Sequence, residues 1–118
     1  SDHCPDDVEN KLKEFELASF GISSIDTAFA VARTATKDKL NIAELISKFT
    51  NHPRCCAGQK TTLIEEGNPA NITVFNPDTK WVVKTDEIKS RSKSTPFIGQ
   101  ELTGKPVCVI NKGMITKI

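Results

Sequence analysis

The chain is poor in the residues that mark specialised sequence classes. Its 118 residues include one Met, one Trp and two His. The four cysteines, Cys4, Cys55, Cys56 and Cys108, show no framework spacing. Cys55 and Cys56 are neighbours, which seldom bridge to one another, and no Cys-x-x-Cys occurs, which argues against a zinc ribbon, a dithiol redox centre or a disulfide scaffold. Reduced thiols in a cytoplasmic protein are the expectation. An excess of one charge is also lacking. Sixteen basic and 15 acidic residues leave a net charge of +1, so no strong field favours nucleic acid or a membrane surface. No apolar run approaches the roughly 18 residues of a membrane-spanning helix. What remains is an ordinary globular composition, with 37% hydrophobic and 26% charged residues. The length suits one domain, or part of one, with a modest core.

The chain opens on Ser1-Asp2-His3-Cys4-Pro5, followed by Glu9-x-Lys11. An acid and an imidazole stand side by side, and a Pro then forces the backbone out of regular structure. An active-site mouth looks like this when a strand delivers polar side chains to a loop. Because a domain rarely begins with its chemistry, and the only Met is Met114, the sequence reads as the C-terminal piece of something larger.

Residues 1–23 show no sustained periodicity and read as a loop anchored by Phe15, Leu17 and Phe20, with Gly21 near its end. Ser23 or Ser24 can cap a helix whose Ile25, Phe29 and Ala32 share one face. Asn41 caps a second helix, and Glu44 three residues on completes a capping-box pattern. Ile42, Leu45, Ile46 and Phe49 give that helix its apolar stripe. Asn51-His52-Pro53-Arg54 stops it, and a short helical turn reaches Ala57, with Gly58 after it.

Ile72-Thr73-Val74-Phe75 lies between the turn-forming clusters Asn68-Pro69 and Asn76-Pro77-Asp78 and reads as a strand; Trp81-Val82-Val83 reads as a second. Val107-Cys108-Val109-Ile110 and Met114-Ile115-Thr116-Lys117-Ile118 flank Asn111-Lys112-Gly113, expected to be a three-residue hairpin loop. Trp81 is expected to cap the small β core. Helices thus occupy the first half and strands the second.

Five segments in this order resemble the C-terminal part of a dihydroorotase, a member of the amidohydrolase superfamily. Asp2-His3-x-Pro5 with Glu9-x-Lys11 is similar to that family's Asp-His-x-Pro loop at the end of the last barrel strand. Phe20-Gly21-Ile22 with Ile25-Asp26-Thr27 is similar to its Gly…Leu-Glu-Thr stretch, and Asn51-x-Pro53-Arg54 to its Asn-Pro segment. The run from Glu66 to Pro77 resembles Glu-Gly-x-x-Ala-Asp-Leu-x-x-Phe-Asp-Pro, and Ser92-Lys93-Ser94-Thr95-Pro96-Phe97-Ile98-Gly99 resembles the signature Ser-Lys-Asn-Thr-Pro-Phe-x-Gly. The resemblance implies an α/β fold: a C-terminal portion of a (β/α)₈ barrel followed by short strands of a composite β-sandwich. Residues 1–58 would end the barrel domain, with the active-site loop and helices, and residues 59–118 would form the sandwich segment. A barrel takes about 250 residues, so most of it lies outside this sequence.

The implied activity is metal-dependent hydrolysis of a cyclic amide, interconverting N-carbamoyl-L-aspartate and dihydroorotate in pyrimidine biosynthesis. It implies a small-molecule substrate, neither nucleic acid nor membrane as partner, and leaves a homo-oligomer open. By resemblance Asp2 is both a ligand of a binuclear zinc site and the general base and acid; otherwise it is a loop Asp making a turn or cap. His3 could touch substrate or orient Asp2, or be a packed, hydrogen-bonded histidine. Phe20 and Gly21 match a position whose backbone contacts substrate. His52, at a helix end, reads as a cap or surface residue. With two histidines in all, the chain holds too few ligands for a metal pair, so this portion alone is expected to be inactive. Asp6 stands where the family often has a His that holds the substrate carboxylate. That departure leaves a non-catalytic, assembly-supporting relative as an alternative, beside cyclic amidases of the dihydropyrimidinase or allantoinase type.

Two further patterns are set aside. Gly99-x-x-x-x-Gly104-Lys105 imitates a phosphate-binding loop but has Pro106 in place of the magnesium-binding hydroxyl. The basic, Ser-rich run 89–94 lacks interleaved aromatics and reads as a solvated loop. The two helical stripes should normally pack on absent barrel strands, so the 118 residues alone are expected to fold poorly or self-associate.

Overall fold

Gly104 and Phe29 explain how the chain closes on itself. In a computed structural model describing all 118 residues, helix α2 (Ala28–Thr36) lies along strand β2 (Glu101–Asn111). Gly104 is buried at φ 92°, and a Cβ there would stand 3.0 Å from Phe29 Cε1 and 3.4 Å from Arg33 Cγ. Glycine alone combines that backbone angle with so close a helix. Phe29 meets Phe75 edge-on with ring centroids 4.8 Å apart, and Phe49 at 5.9 Å. Ala30, Val83, Ile88 and Leu102 form the buried cluster, with Val31, Trp81 and Phe97 packed around it. The core therefore straddles residue 58 rather than lying on one side of it. Trp81 covers this core as expected, its Nε1 donating to Gly104 O at 3.0 Å.

The sheet is antiparallel in the order β1 (Asn71–Val82), β2, β3 (Met114–Lys117). The two short strands expected around Phe75 and Trp81 are one. Asn76 Oδ1 accepts from the backbone N–H of Asp78 and Thr79, at 3.0 and 3.2 Å, so the Asn-Pro-Asp cluster makes a bulge inside a continuing strand. Arg33 fixes that bulge to α2 through Pro77 O at 3.2 Å and Asp78 at 3.0 Å. Strand β2 likewise starts earlier than expected, because Gly104 and Pro106 sit within it. Pro106 falls beside a register shift, where its missing N–H does not interrupt the ladder. The hairpin loop is two residues long, not three. Asn111 pairs with Met114, and Lys112 and Gly113, at φ 50° and 76°, have the paired left-handed angles that suit a tight hairpin.

The capping box of α3 (Ile42–Phe49) forms as the sequence suggests: Glu44 N–H donates to Asn41 Oδ1 and Asn41 N–H to Glu44 Oε2, both at 2.9 Å. Leu45 is buried in its stripe. Thr50 breaks the helix, α4 (Asn51–Cys56) follows, and Gly58 at φ 65° ends it. Pro53 lies in the first turn, where backbone N–H groups lack helical partners anyway.

Two expectations fail near the N-terminus. Helix α2 starts at Ala28 with Thr27 as its N-cap, not at Ser23 or Ser24. The serine donors that would surround such a cap are committed elsewhere: Ser23 N–H to Ser94 O, Ser24 N–H to His3 and Ser24 Oγ to Ser1 O. Ile25 is accordingly exposed and leaves the apolar face. The loop of residues 1–23 holds one helical turn, α1 (Val8–Lys11), and its supposed anchors are not buried. Phe15 and Phe20 are 97% and 95% exposed, and Leu17 is exposed too. The interior ends at the α2–sheet seam, which the loop does not reach with apolar groups. No helix is long and apolar enough to cross a membrane.

Candidate active site

Residues 1–4 run against residues 21–25, joining two segments that the sequence shows separately. Cys4 N–H donates to Ile22 O at 3.1 Å. Gly21, at φ 91°, sits so close that a Cβ would lie 2.6 Å from both Cys4 Cβ and Cys4 O. Ser24 Oγ donates to Ser1 O at 2.8 Å. His3 Nδ1 accepts from the N–H groups of Ser24 and Ile25 at 3.1 and 3.2 Å. A ring nitrogen that accepts carries no proton, so the imidazole proton is on Nε2. Asp2, between these tethered residues, is exposed, takes a left-handed φ of 49°, and has no hydrogen-bonding partner for its side chain. Asp is among the few residues for which that angle is tolerable.

Lys11 fixes the other strand of this junction, donating from Nζ to Ser19 O at 2.5 Å and Gly21 O at 2.6 Å. The Phe20 side chain points into solvent. The backbone N–H groups of Phe20 and Gly21 find no acceptor within the chain.

An open cleft of about 630 Å³ adjoins His3, with Pro5, Asp6, Asp7, Ser90, Arg91 and Ser92 around it. The Asp6 carboxylate is turned onto its own helix. Asn10 Nδ2 donates to it at 3.0 Å and Asp7 N–H at 2.7 Å. Hydrogen bonds from Asn10, Ser19 and Asp7, helped by Lys11, lower its pKa to about 2, so it remains an anion.

The run 89–94 is not a solvated loop. Its serines alternate with charged residues and clamp the N-terminal segment. Ser92 Oγ donates to Asp6 O at 2.6 Å, Ser94 O accepts from Ser23 N–H at 2.8 Å, and Ser90 binds Asp26 through both Oγ and N–H. Burial raises the Asp26 pKa, but hydrogen bonds from Ser90 and Lys89 outweigh it and hold the group below its ordinary value. Lys93 Nζ donates to Ile88 O, Phe97 packs on the core, and Gly99 turns at φ 81°. The segment 92–99 is thus built to turn the chain into β2 while gripping the loop. The serine spacing was visible in the sequence; its acceptors were not.

The implied metal pair does not fit the residues of this chain by themselves. No three His, Cys, Asp or Glu side chains converge, and Asp2 stands apart as a single carboxylate. His52 lies exposed in α4. All four cysteines are free thiols.

No family model matches the chain. It is similar over 98% of its length, at 36% identity, to dihydroorotases of Clostridium acetobutylicum and Syntrophus aciditrophicus, and over 99% at 34% identity to that of Caldicellulosiruptor saccharolyticus. It spans only 27–28% of those enzymes, a C-terminal portion of them. Its fold matches part of a D-hydantoinase (dihydropyrimidinase) from Thermus sp. at a TM-score of 0.71 and 24% identity, covering 98% of this chain and 27% of that one. A second D-hydantoinase structure matches at 0.66 and 13% identity, over 92% and 24%. The expected fold, a portion of a larger α/β fold, is borne out by these two structures.

Proposed function

We propose that this homologue of the C-terminal portion of dihydroorotases serves, within a complete protein, as the proton-handling wall of a cyclic-amide hydrolase that interconverts N-carbamoyl-L-aspartate and dihydroorotate. The observation that carries the reading is the junction of residues 1–4 with 21–25. It leaves one carboxylate, Asp2, unpartnered next to a tethered imidazole, and leaves the backbone N–H groups of Phe20 and Gly21 without an acceptor. Ring opening needs a base to activate water and an acid for the leaving nitrogen, and one exposed carboxylate can serve both in turn. His3, presenting Nε2–H, and the Phe20–Gly21 backbone would hold substrate oxygens. A zinc pair, if the complete protein uses one, would draw most of its ligands from outside these residues and only Asp2 from within. Residues 1–58 would belong to the barrel domain and 59–118 to the sandwich. Pyrimidine synthesis in the cytoplasm, with neither nucleic acid nor membrane as partner, is part of the same proposal.

Asp6 favours a second reading. Where the resemblance implies a histidine for the substrate carboxylate, a fixed anion stands, and like charges repel. A non-catalytic subunit that supports assembly would tolerate this. Assay of the complete protein on dihydroorotate, a hydantoin, dihydrouracil and allantoin separates the readings. Dihydroorotate turnover that falls about 10²–10⁴-fold in Asp2→Asn supports the enzyme. No turnover of any ring supports the assembly role, and preference for another ring revises the substrate.

A further inference from the structure

Asp2 has no tether of its own, yet the chain on either side of it is held at several atoms. Ser1 O, His3 Nδ1, Cys4 N–H and Asp6 O are all hydrogen-bonded. The groups that hold them come from two places, residues 22–25 and Ser92. Those two places are joined by one backbone bond, Ser23 N–H to Ser94 O at 2.8 Å, and by the Asp26 side chain. Its carboxylate accepts from Lys89 N–H at 3.1 Å, Ser90 N–H at 3.3 Å and Ser90 Oγ at 2.5 Å. No apolar anchor does this work, because Phe15, Leu17 and Phe20 face outward.

We infer that Asp26 is a positioning residue: through the strap of residues 89–94 it sets where Asp2 and His3 stand, with Ser92 as the strap's direct grip on the loop. The inference rests on the proposed role of Asp2 in proton transfer. A carboxylate with two acceptor oxygens can receive all three donors, whereas Asn would offer one oxygen and turn an NH₂ toward the others. Releasing the strap would let the loop drift, and a shift of about 1 Å at a reacting group can cost about 100-fold in rate. A group with a packing role alone would lower stability and leave turnover per folded molecule unchanged.

The test uses the complete protein with Asp26→Asn, Ser92→Ala and Ser92→Thr, assayed below the Tm of each. Asp26→Asn should lose about 10–100-fold in kcat, in the range seen when partners of active-site ligands are removed, with a smaller rise in KM as His3 shifts. Ser92→Ala should lose kcat in the same sense, and Ser92→Thr, which keeps the hydroxyl, should restore it. The imidazole ¹⁵N signals of His3, assigned against His3→Gln, should show one Nε2–H tautomer in the parent and a mixture in Asp26→Asn. Unaltered kcat and an unaltered His3 spectrum in folded Asp26→Asn would overturn the inference. If Asp26→Asn does not fold, the Ser92 pair decides, and equal kcat in Ser92→Ala and parent overturns it. Should the parent turn over no cyclic amide, the proposed function fails by itself. The His3 spectrum then still decides whether Asp26 fixes the loop.

Discussion

Two contact regions of this molecule are built from opposite materials. Where α2 meets the sheet, Phe29, Ala30, Leu102 and a buried glycine make an apolar seam reinforced by a few hydrogen bonds. Where residues 1–7 meet residues 19–26, nearly every contact is polar, and the neighbouring apolar side chains face solvent. Burial drives the first region, at roughly 25 cal/mol per Å² of apolar surface removed from water. The second relies on hydrogen bonds, each worth about 0.5–1.5 kcal/mol net, and on directional geometry. A seam of the first kind gives stability. A junction of the second kind gives placement, which is what a candidate proton-transfer group needs. Damage to the two should therefore read out differently.

The sharpest break comes at Gly104. A side chain there meets both a left-handed backbone, costing about 1–2 kcal/mol, and Phe29 Cε1 at 3.0 Å. Overpacking adds about 1–3 kcal/mol. Gly104→Val should lower the unfolding free energy of the complete protein by about 2–5 kcal/mol in urea titration, with kcat per folded molecule kept. A variant as stable as the parent would mean that the seam is looser than drawn.

The seam was partly legible and the junction mostly not, for physical reasons. Helical periodicity and the Asn41–Glu44 box are local, so α3 could be read from eight residues and their cap. The single strand β1 was hidden because Asn76-Pro77-Asp78 has the composition of a turn, and only pairing with β2 and the Arg33 clamp make it a bulge. Ser23 and Ser24 look like helix caps until Ser94 takes the Ser23 N–H and the N-terminal loop, about twenty residues away, takes the Ser24 donors. Asp2, His3, Phe20 and Gly21 could be singled out by family motif. Their assembly through Ser90 and Ser92, at separations of 64 and 86 residues, depends on tertiary structure that no local pattern encodes.

Acid should weaken the junction before the seam. Asp26 is held below its ordinary pKa by its donors. A carboxylate with a depressed folded pKa contributes stability that is fully present above its unfolded value, about 3.9, and is lost as pH falls through the folded one. The stability gap between parent and Asp26→Asn should thus be level from neutral pH down to about 5, then shrink below about 4. Urea midpoints measured across that range check it. A gap that instead widens in acid would reverse the sign assigned here. Asp6, also depressed but lining an open, solvent-filled cleft, should give Asp6→Asn a much weaker version of the same profile.

The smallest stability effect is expected on the outward apolar groups of residues 12–20. Leu12 is 80% and Phe15 97% exposed, so neither contributes burial within these residues, and surface substitutions typically shift stability by no more than about 0.5 kcal/mol. Their effect should appear instead in association, because clustered exposed apolar side chains mark a surface meant to be covered. The isolated 118 residues should bind a hydrophobic dye and self-associate in sedimentation. Leu12→Ser with Phe15→Ser should reduce both while leaving the urea midpoint in place. If the pair instead lowers the midpoint, these residues contribute to folding after all, and the division between an apolar seam and a polar junction fails at that point.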